Sequence, residues 1–129
     1  MICDNGESCS SFNGSWPESS GPNPYGTSSL YSLNDGDTYT WSPELSQTGD
    51  YEVYMGWTYH STRCTECPVT ISCGGGVLDV VYVNQQQDVG QWNYLGTYAL
   101  EAGSECSVTI TAEGSPSTCA DAVMMVILD

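Results

Sequence analysis

The sequence predicts an all-β antiparallel sandwich, and three observations carry that expectation. Gly, Ser, Thr, Tyr and Val dominate the 129 residues, whereas helix formers are scarce, with no Lys and little Ala or Leu. Apolar and polar positions alternate in Tyr51-Glu52-Val53-Tyr54-Met55 and in Ser107-Val108-Thr109-Ile110-Thr111, which is the period of a half-buried strand. Turn-forming residues recur at the spacing of a sandwich or barrel. A chain of this length can bury one core, and its 40% hydrophobic content supplies the material.

Taken in order, the expected strands are 39–41, 51–58, 69–73, 77–84, 92–100, 107–112 and 120–128. Residues 1–129 read as one domain. Within it, 1–37 form a loop-rich segment of Ser, Gly, Asn and Pro with apolar islands at Ile2, Phe12, Trp16, Leu30 and Tyr31, and 38–129 form the sandwich body. No internal repeat is present. The run 122–128 is apolar throughout, as in a strand buried on both faces; a buried helix is the alternative. If successive strands run alternately up and down, the connections 59–68, 85–91 and 113–119 share one end. The connections 42–49, 74–76 and 101–106 share the other.

The charge balance restricts partners. Sixteen acidic residues face Arg63 alone, for a formal charge of −15. Such a surface repels phosphate backbones and anionic lipid, which argues against nucleic acid and membrane surfaces. It also repels itself, so salt, calcium or a cationic partner would offset that cost, unless acidity simply keeps an extracellular protein soluble. No run is long and apolar enough for a transmembrane span, and Met1-Ile2-Cys3-Asp4 does not open like an export signal. The expectation is a mature secreted sequence, or one module of a longer one.

Seven cysteines point to an oxidising compartment. Cys73 and Cys106 fall at the same expected end and can bridge, and Cys3 and Cys9 can close a short N-terminal loop. Cys64, Cys67 and Cys119 gather at the other end, where one pair can bridge and one thiol is left over. Together with His60 they would also compose a tetrahedral zinc set.

Several short motifs occur in one order. They are Asp4-Asn5-Gly6, Gly14-Ser15-Trp16, Gly49-Asp50-Tyr51-Glu52-Val53-Tyr54, Trp57-Thr58, Val83-Asn84-Gln85, Gly90-Gln91-Trp92-Asn93-Tyr94-Leu95-Gly96 and Ala120-Asp121-Ala122-Val123. Together they resemble the golvesin and xanthan-lyase C-terminal-like domain, from Ile2 to about Ile127. The resemblance implies a jelly-roll β-sandwich similar to galactose-binding and carbohydrate-binding modules, and attachment to carbohydrate. In similar folds a structural calcium ties the first and last strands, which here would bring Asp4 or Glu7 to Asp121; the alternative is that Asp121 is hydrogen-bonded to a turn. The Cys64-Thr65-Glu66-Cys67 insertion and the depletion of Lys and Arg depart from the family pattern.

Sugar recognition needs an aromatic platform and hydrogen-bonding groups around it. The 59–68 and 85–91 end offers both, so the expected ligand residues are Tyr59, His60, Arg63, Asn84, Gln85, Gln86, Gln91 and Trp92. Each has a structural alternative: Trp92 as core, the Gln run as loop staples, Arg63 as partner of a carboxylate. A single His with no positioned nucleophile gives no basis for catalysis. The expectation is a non-catalytic, extracellular carbohydrate-binding or adhesive module that takes a polysaccharide or glycan. The alternative is a self-associating subunit of a surface layer, appendage or filament.

Overall fold

The computed structural model describes residues 1–113 and 116–128. Among these it has twelve strands and no helix: β1 (Ile2–Asp4), β2 (Ser10–Asn13), β3 (Glu18–Ser19), β4 (Ser29–Ser32), β5 (Thr38–Trp41), β6 (Gly49–Gly56), β7 (Cys67–Cys73), β8 (Gly76–Val83), β9 (Asn93–Leu100), β10 (Cys106–Thr111), β11 (Thr118–Ala120) and β12 (Ala122–Ile127). A four-stranded sheet has the order β1-β12-β6-β9, a five-stranded sheet the order β2-β5-β10-β7-β8, and β11-β4-β3 make a small third sheet. The strand ladders are antiparallel. The expected all-β jelly-roll sandwich is the fold this chain adopts.

Alternation builds the core. Val53 and Met55 of β6 and Val123 and Met125 of β12 point inward from one sheet. Tyr39 and Trp41 of β5, Val69 and Ile71 of β7, and Val108 and Ile110 of β10 point inward from the other. Large aromatic rings, Trp16, Tyr39, Trp41, Tyr51 and Trp57, belong to this core. Tyr39 lies between Trp16 and Trp41, with ring centroids 5.5 and 5.0 Å away. The first 37 residues are woven into this body, since β1 pairs with β12, β2 with β5 and β4 with β11.

The C-terminal run departs from expectation. The strand expected over 120–128 begins later: Ala120 ends β11 and residues 122–127 form β12, a strand and not a helix, but not one buried along its whole length. β11 belongs to the small sheet and β12 to the four-stranded sheet, and the chain switches between them at Asp121. Ala122, Val123 and Met125 are buried, but Val126 and Leu128 are exposed. The break has a local cause: the Asp121 carbonyl accepts the Asn5 N–H at 2.8 Å and Trp41 Nε1–H at 3.3 Å, which withdraws that residue from both ladders.

Both loop groups expected from strand parity form. At one end Cys64 N–H donates to the Ser117 carbonyl and Gln85 N–H to the Cys64 carbonyl. At the other, Leu45 bridges to Gly103 and Gly74 N–H donates to the Glu105 carbonyl. The disulfides are Cys3–Cys9, Cys64–Cys67 and Cys73–Cys106, and Cys119 is free and buried. The Cys73–Cys106 bridge joins directly opposed residues of β7 and β10. The zinc set is therefore not available, because Cys64 and Cys67 are bonded to each other.

Gln85 is fully buried and acts as a short piece of strand. Its Nε2 donates to the Cys119 carbonyl at 2.9 Å and its Oε1 accepts the Cys119 N–H at 2.8 Å. Replacement by Leu strands both backbone groups in the interior. Gln85→Leu is expected to lower unfolding free energy by about 2–4 kcal/mol, read from the denaturant midpoint at unchanged slope. A loss below about 0.5 kcal/mol would show that the β11 backbone finds other partners.

Candidate functional site

A cleft of about 210 Å³ opens beside the sheet switch, lined by Asn23, Tyr25, Trp57, Gln91, Trp92 and Asp121 among others. Three segments place these residues. The 23–25 loop is anchored by Tyr25 N–H donating to Asp121 Oδ2 at 2.9 Å. Gly26 follows at φ +67°, a conformation that favours glycine, and an added Cβ there would sit 2.4 Å from Asp4 Oδ2 and push that carboxyl aside. The loop after β8 is held by Trp57, whose Nε1 donates to the Gln87 carbonyl at 2.8 Å and whose carbonyl accepts the Gly90 N–H at 3.0 Å. Asn93 Nδ2 donates to the Met55 and Asp88 carbonyls. Trp92 thereby faces Tyr25, with ring centroids 5.5 Å apart and planes tilted by 48°.

Behind the rings lies a carboxyl pair. Asn5 Nδ2 donates to Asp4 Oδ1 at 3.1 Å, to the Ser28 carbonyl at 2.7 Å and to Asp121 Oδ1 at 3.3 Å. Burial pushes the Asp121 carboxyl up to about 7, and the nearby Asp4 charge adds to the effect. Burial likewise raises Asp4 to about 6, with Glu7 adding repulsion. Hydrogen bonds to the charged forms offset only part of this. Glu7 does not join the pair; its Oε1 accepts the Asp4 N–H at 2.8 Å. Among the described residues no three His, Cys, Asp or Glu converge as a metal group.

Of the eight residues expected to touch ligand, Gln91 and Trp92 line this cleft. Trp92 is partly exposed and not sealed in the core. His60 and Arg63 lie instead along a second cleft of about 400 Å³, with Glu18 and Tyr31. Arg63 requires correction as a freely offered ligand group, and among the described residues its partners are a carbonyl and hydroxyls, not a carboxylate. It is 3% exposed, and its Nε donates to the Thr58 carbonyl, Nη1 to Ser117 Oγ, and Nη2 to Ser19 Oγ and Thr58 Oγ1. The guanidinium's fork of donors clamps three segments at once, which is why it is buried. Gln85 is likewise interior. Gln86 Nε2 staples the Ser61 and Arg63 carbonyls, and Asn84 Oδ1 accepts the Gln86 N–H in a local turn. Tyr59 and His60 are exposed, and His60 Nδ1 is engaged by Thr62. Sequence reasoning missed Asn23 and Tyr25. The Pro22-Asn23-Pro24-Tyr25-Gly26 string marked a constrained aromatic loop, but not which strands it would meet.

Comparison with known proteins places the chain as follows. The model of the Golvesin C-terminal domain family matches residues 1–127. The chain is similar to the xanthan lyase of Bacillus sp. (strain GL1), 36% identical over 135 residues that cover 98% of this chain and 14% of that protein. It superposes on Paenibacillus xanthan lyase with a TM-score of 0.91 and 33% identity, covering 99% of this chain and 13% of that one. A family 35 carbohydrate-binding module from Paenibacillus barcinonensis shares the fold, with a TM-score of 0.71, 13% identity and 99% of each chain covered. The chain thus spans about a seventh of the curated relative it matches.

The carboxyl pair makes stability depend on pH in a defined direction. Asp4 and Asp121 keep protons in the fold at pH values where unfolded carboxyls, near 3.8, have lost them. The folded state therefore binds more protons from about pH 4 to 7, and stability must fall as pH rises through that window. In chelator, the melting temperature is expected to decline from about pH 4.5 to pH 8, and Asp121→Asn to flatten the decline. An identical slope in the variant would show that general acidic repulsion, not this pair, sets it.

Proposed function

Because the chain belongs to the golvesin C-terminal domain family, we propose that it is a non-catalytic carbohydrate-binding module of a secreted protein, with the Tyr25–Trp92 cleft as its sugar site. The observation that carries this reading is the tilted ring pair with the Gln91 and Asn23 amides and the Asp121 carboxyl at the same opening. A sugar ring offers C–H groups to an aromatic face and hydroxyls to amides and carboxyls, which is the combination found here. The cleft volume of about 210 Å³ is below the roughly 300–1,000 Å³ of ordinary small-molecule sites, so it suits one sugar unit of a longer chain. A single carboxyl lines it, whereas glycoside cleavage uses a flanking pair. Three disulfides favour an oxidising, extracellular setting.

Calcium belongs to the same proposal. The Asn5 amide already bridges Asp4, Asp121 and the Ser28 carbonyl, so oxygens that attract a positive group converge there. Calcium favours such an oxygen set and would relieve the repulsion between the two carboxyls. Asp4, Asp121 and the Ser28 carbonyl would hold it, while Glu7 stays on the backbone.

Xanthan fragments and a glycan array are the first probes, read by calorimetry. Wild-type binding is expected, with Trp92→Ala or Tyr25→Ala weakening it at least about tenfold at unchanged melting temperature. A protein that binds no glycan on either probe sinks the sugar reading. For the cation, millimolar calcium is expected to raise the melting temperature above that in chelator near pH 7.5, and Asp121→Asn to abolish the difference. Equal melting curves for wild type in calcium and chelator would remove calcium from the proposal.

A further inference from the structure

We infer that two copies of this chain associate through β8, pairing edge to edge to extend the five-stranded sheet across a two-fold axis. β8 is the terminal strand of that sheet, and among the described residues it pairs only with β7. Exposed edges are usually shielded by Lys, Pro or inward charge, because their free N–H and C=O groups invite another strand. On β8 such devices sit only in the first half, a bulge at Leu78 and the charge of Asp79 on the side of Val81 and Val83, and from Val80 onward there is none. Its register slips once, at Leu78, and then runs regularly from Asp79 opposite Ile71 to Val83 opposite Cys67. Val77, Leu78, Val80 and Tyr82 are 63, 47, 43 and 66% exposed. Val81 and Val83 turn toward the core, so alternation sends Val80 and Tyr82 to the outer face.

Charge indicates what covers the strand. The chain carries −15, and that charge opposes contact between copies almost everywhere. Yet Asp79 is the sole charged residue in β2, β5, β7, β8 and β10 together. Its carboxylate is engaged, accepting the Tyr98 hydroxyl of β9 at 2.7 Å. A second copy therefore meets less charge along these strands than along the four-stranded sheet, whose strands carry Asp4, Asp50 and Glu52.

Symmetry adds the complementarity. An antiparallel pair formed by one strand and its two-fold copy is complementary to itself. Like charges directly opposite each other are unfavourable, so a register with Asp79 facing its own copy is disfavoured. Centring the pair on Val81 sets Asp79 against Val83 of the second copy and Val80 against Tyr82 of the second copy. Other edges serve less well: β1 and β2 have three and four residues, and β9 closes the sheet whose strands carry Asp4, Asp50 and Glu52.

Sedimentation equilibrium and light scattering on the 129-residue chain test this. Apparent mass is expected to climb toward two chains over roughly 10 μM to 1 mM, the range of a small interface, and to climb earlier in added salt, which screens the net charge. Hydrogen exchange at the two concentration extremes should slow selectively at β8 amides. Val80→Lys and Tyr82→Lys should hold the chain monomeric with unchanged melting temperature and glycan binding, since neither residue lines either cleft. A monomer at every concentration overturns the inference, as does a dimer that survives both substitutions or leaves β8 exchange unchanged.

Discussion

Asp121 joins three separate segments of this molecule, and it does so with hydrogen bonds rather than apolar contact. Its carbonyl takes the Asn5 N–H and the Trp41 indole, and its carboxyl takes the Tyr25 N–H and the Asn5 amide. Those bonds fix the N-terminal strand to the C-terminal one, dock the central core tryptophan, and set the loop that walls the cleft. A carboxyl two per cent exposed carries a large desolvation cost unless each lone pair is used. Here the Tyr25 N–H reaches one carboxyl oxygen and the Asn5 amide the other. The residue that separates the two strands is therefore also one that builds the candidate site.

Arg63 does the corresponding work at the neighbouring loops. A guanidinium normally stays buried because a carboxylate pairs with it. In this chain the only cation is held by a carbonyl and three hydroxyls from Ser19, Thr58 and Ser117. With sixteen acids available, the choice of neutral partners is a geometric one. The fork spans segments that the Cys64–Cys67 bridge and the Gln85 side chain also hold, and hydroxyl groups fit the short distances between them. Loop rigidity at this end comes from polar bonding, which leaves the aromatic rings of Tyr25 and Trp92 free to face outward.

The acidic charge is unevenly placed. Asp4, Asp50 and Glu52 lie on the four-stranded sheet, and loops carry most of the remainder, while the five-stranded sheet holds Asp79 alone. On β5, β7 and β10 most outer positions are Ser or Thr, and neighbours such as Thr40 and Thr109 share a hydroxyl–hydroxyl bond of 2.8 Å. One face of the sandwich is thus kept neutral in a chain that is otherwise strongly anionic.

The sequence by itself determined the fold class, seven of the strands to within a few residues, and which loops share an end. These follow from period-two alternation, turn residues and parity, all of which are local or additive. Cys3–Cys9 and Cys73–Cys106 were readable for the same reason, being a short loop and two strand ends. The tertiary structure alone decided the break at Asp121, the burial of Arg63 and Gln85, and the partnership of Tyr25 with Trp92. Tyr25 and Trp92 are far apart in the chain, and what brings them together is a carboxyl satisfying its hydrogen bonds across several segments. No local pattern encodes that, because the cost of leaving a polar group unpaired exists only once the surrounding core has excluded water.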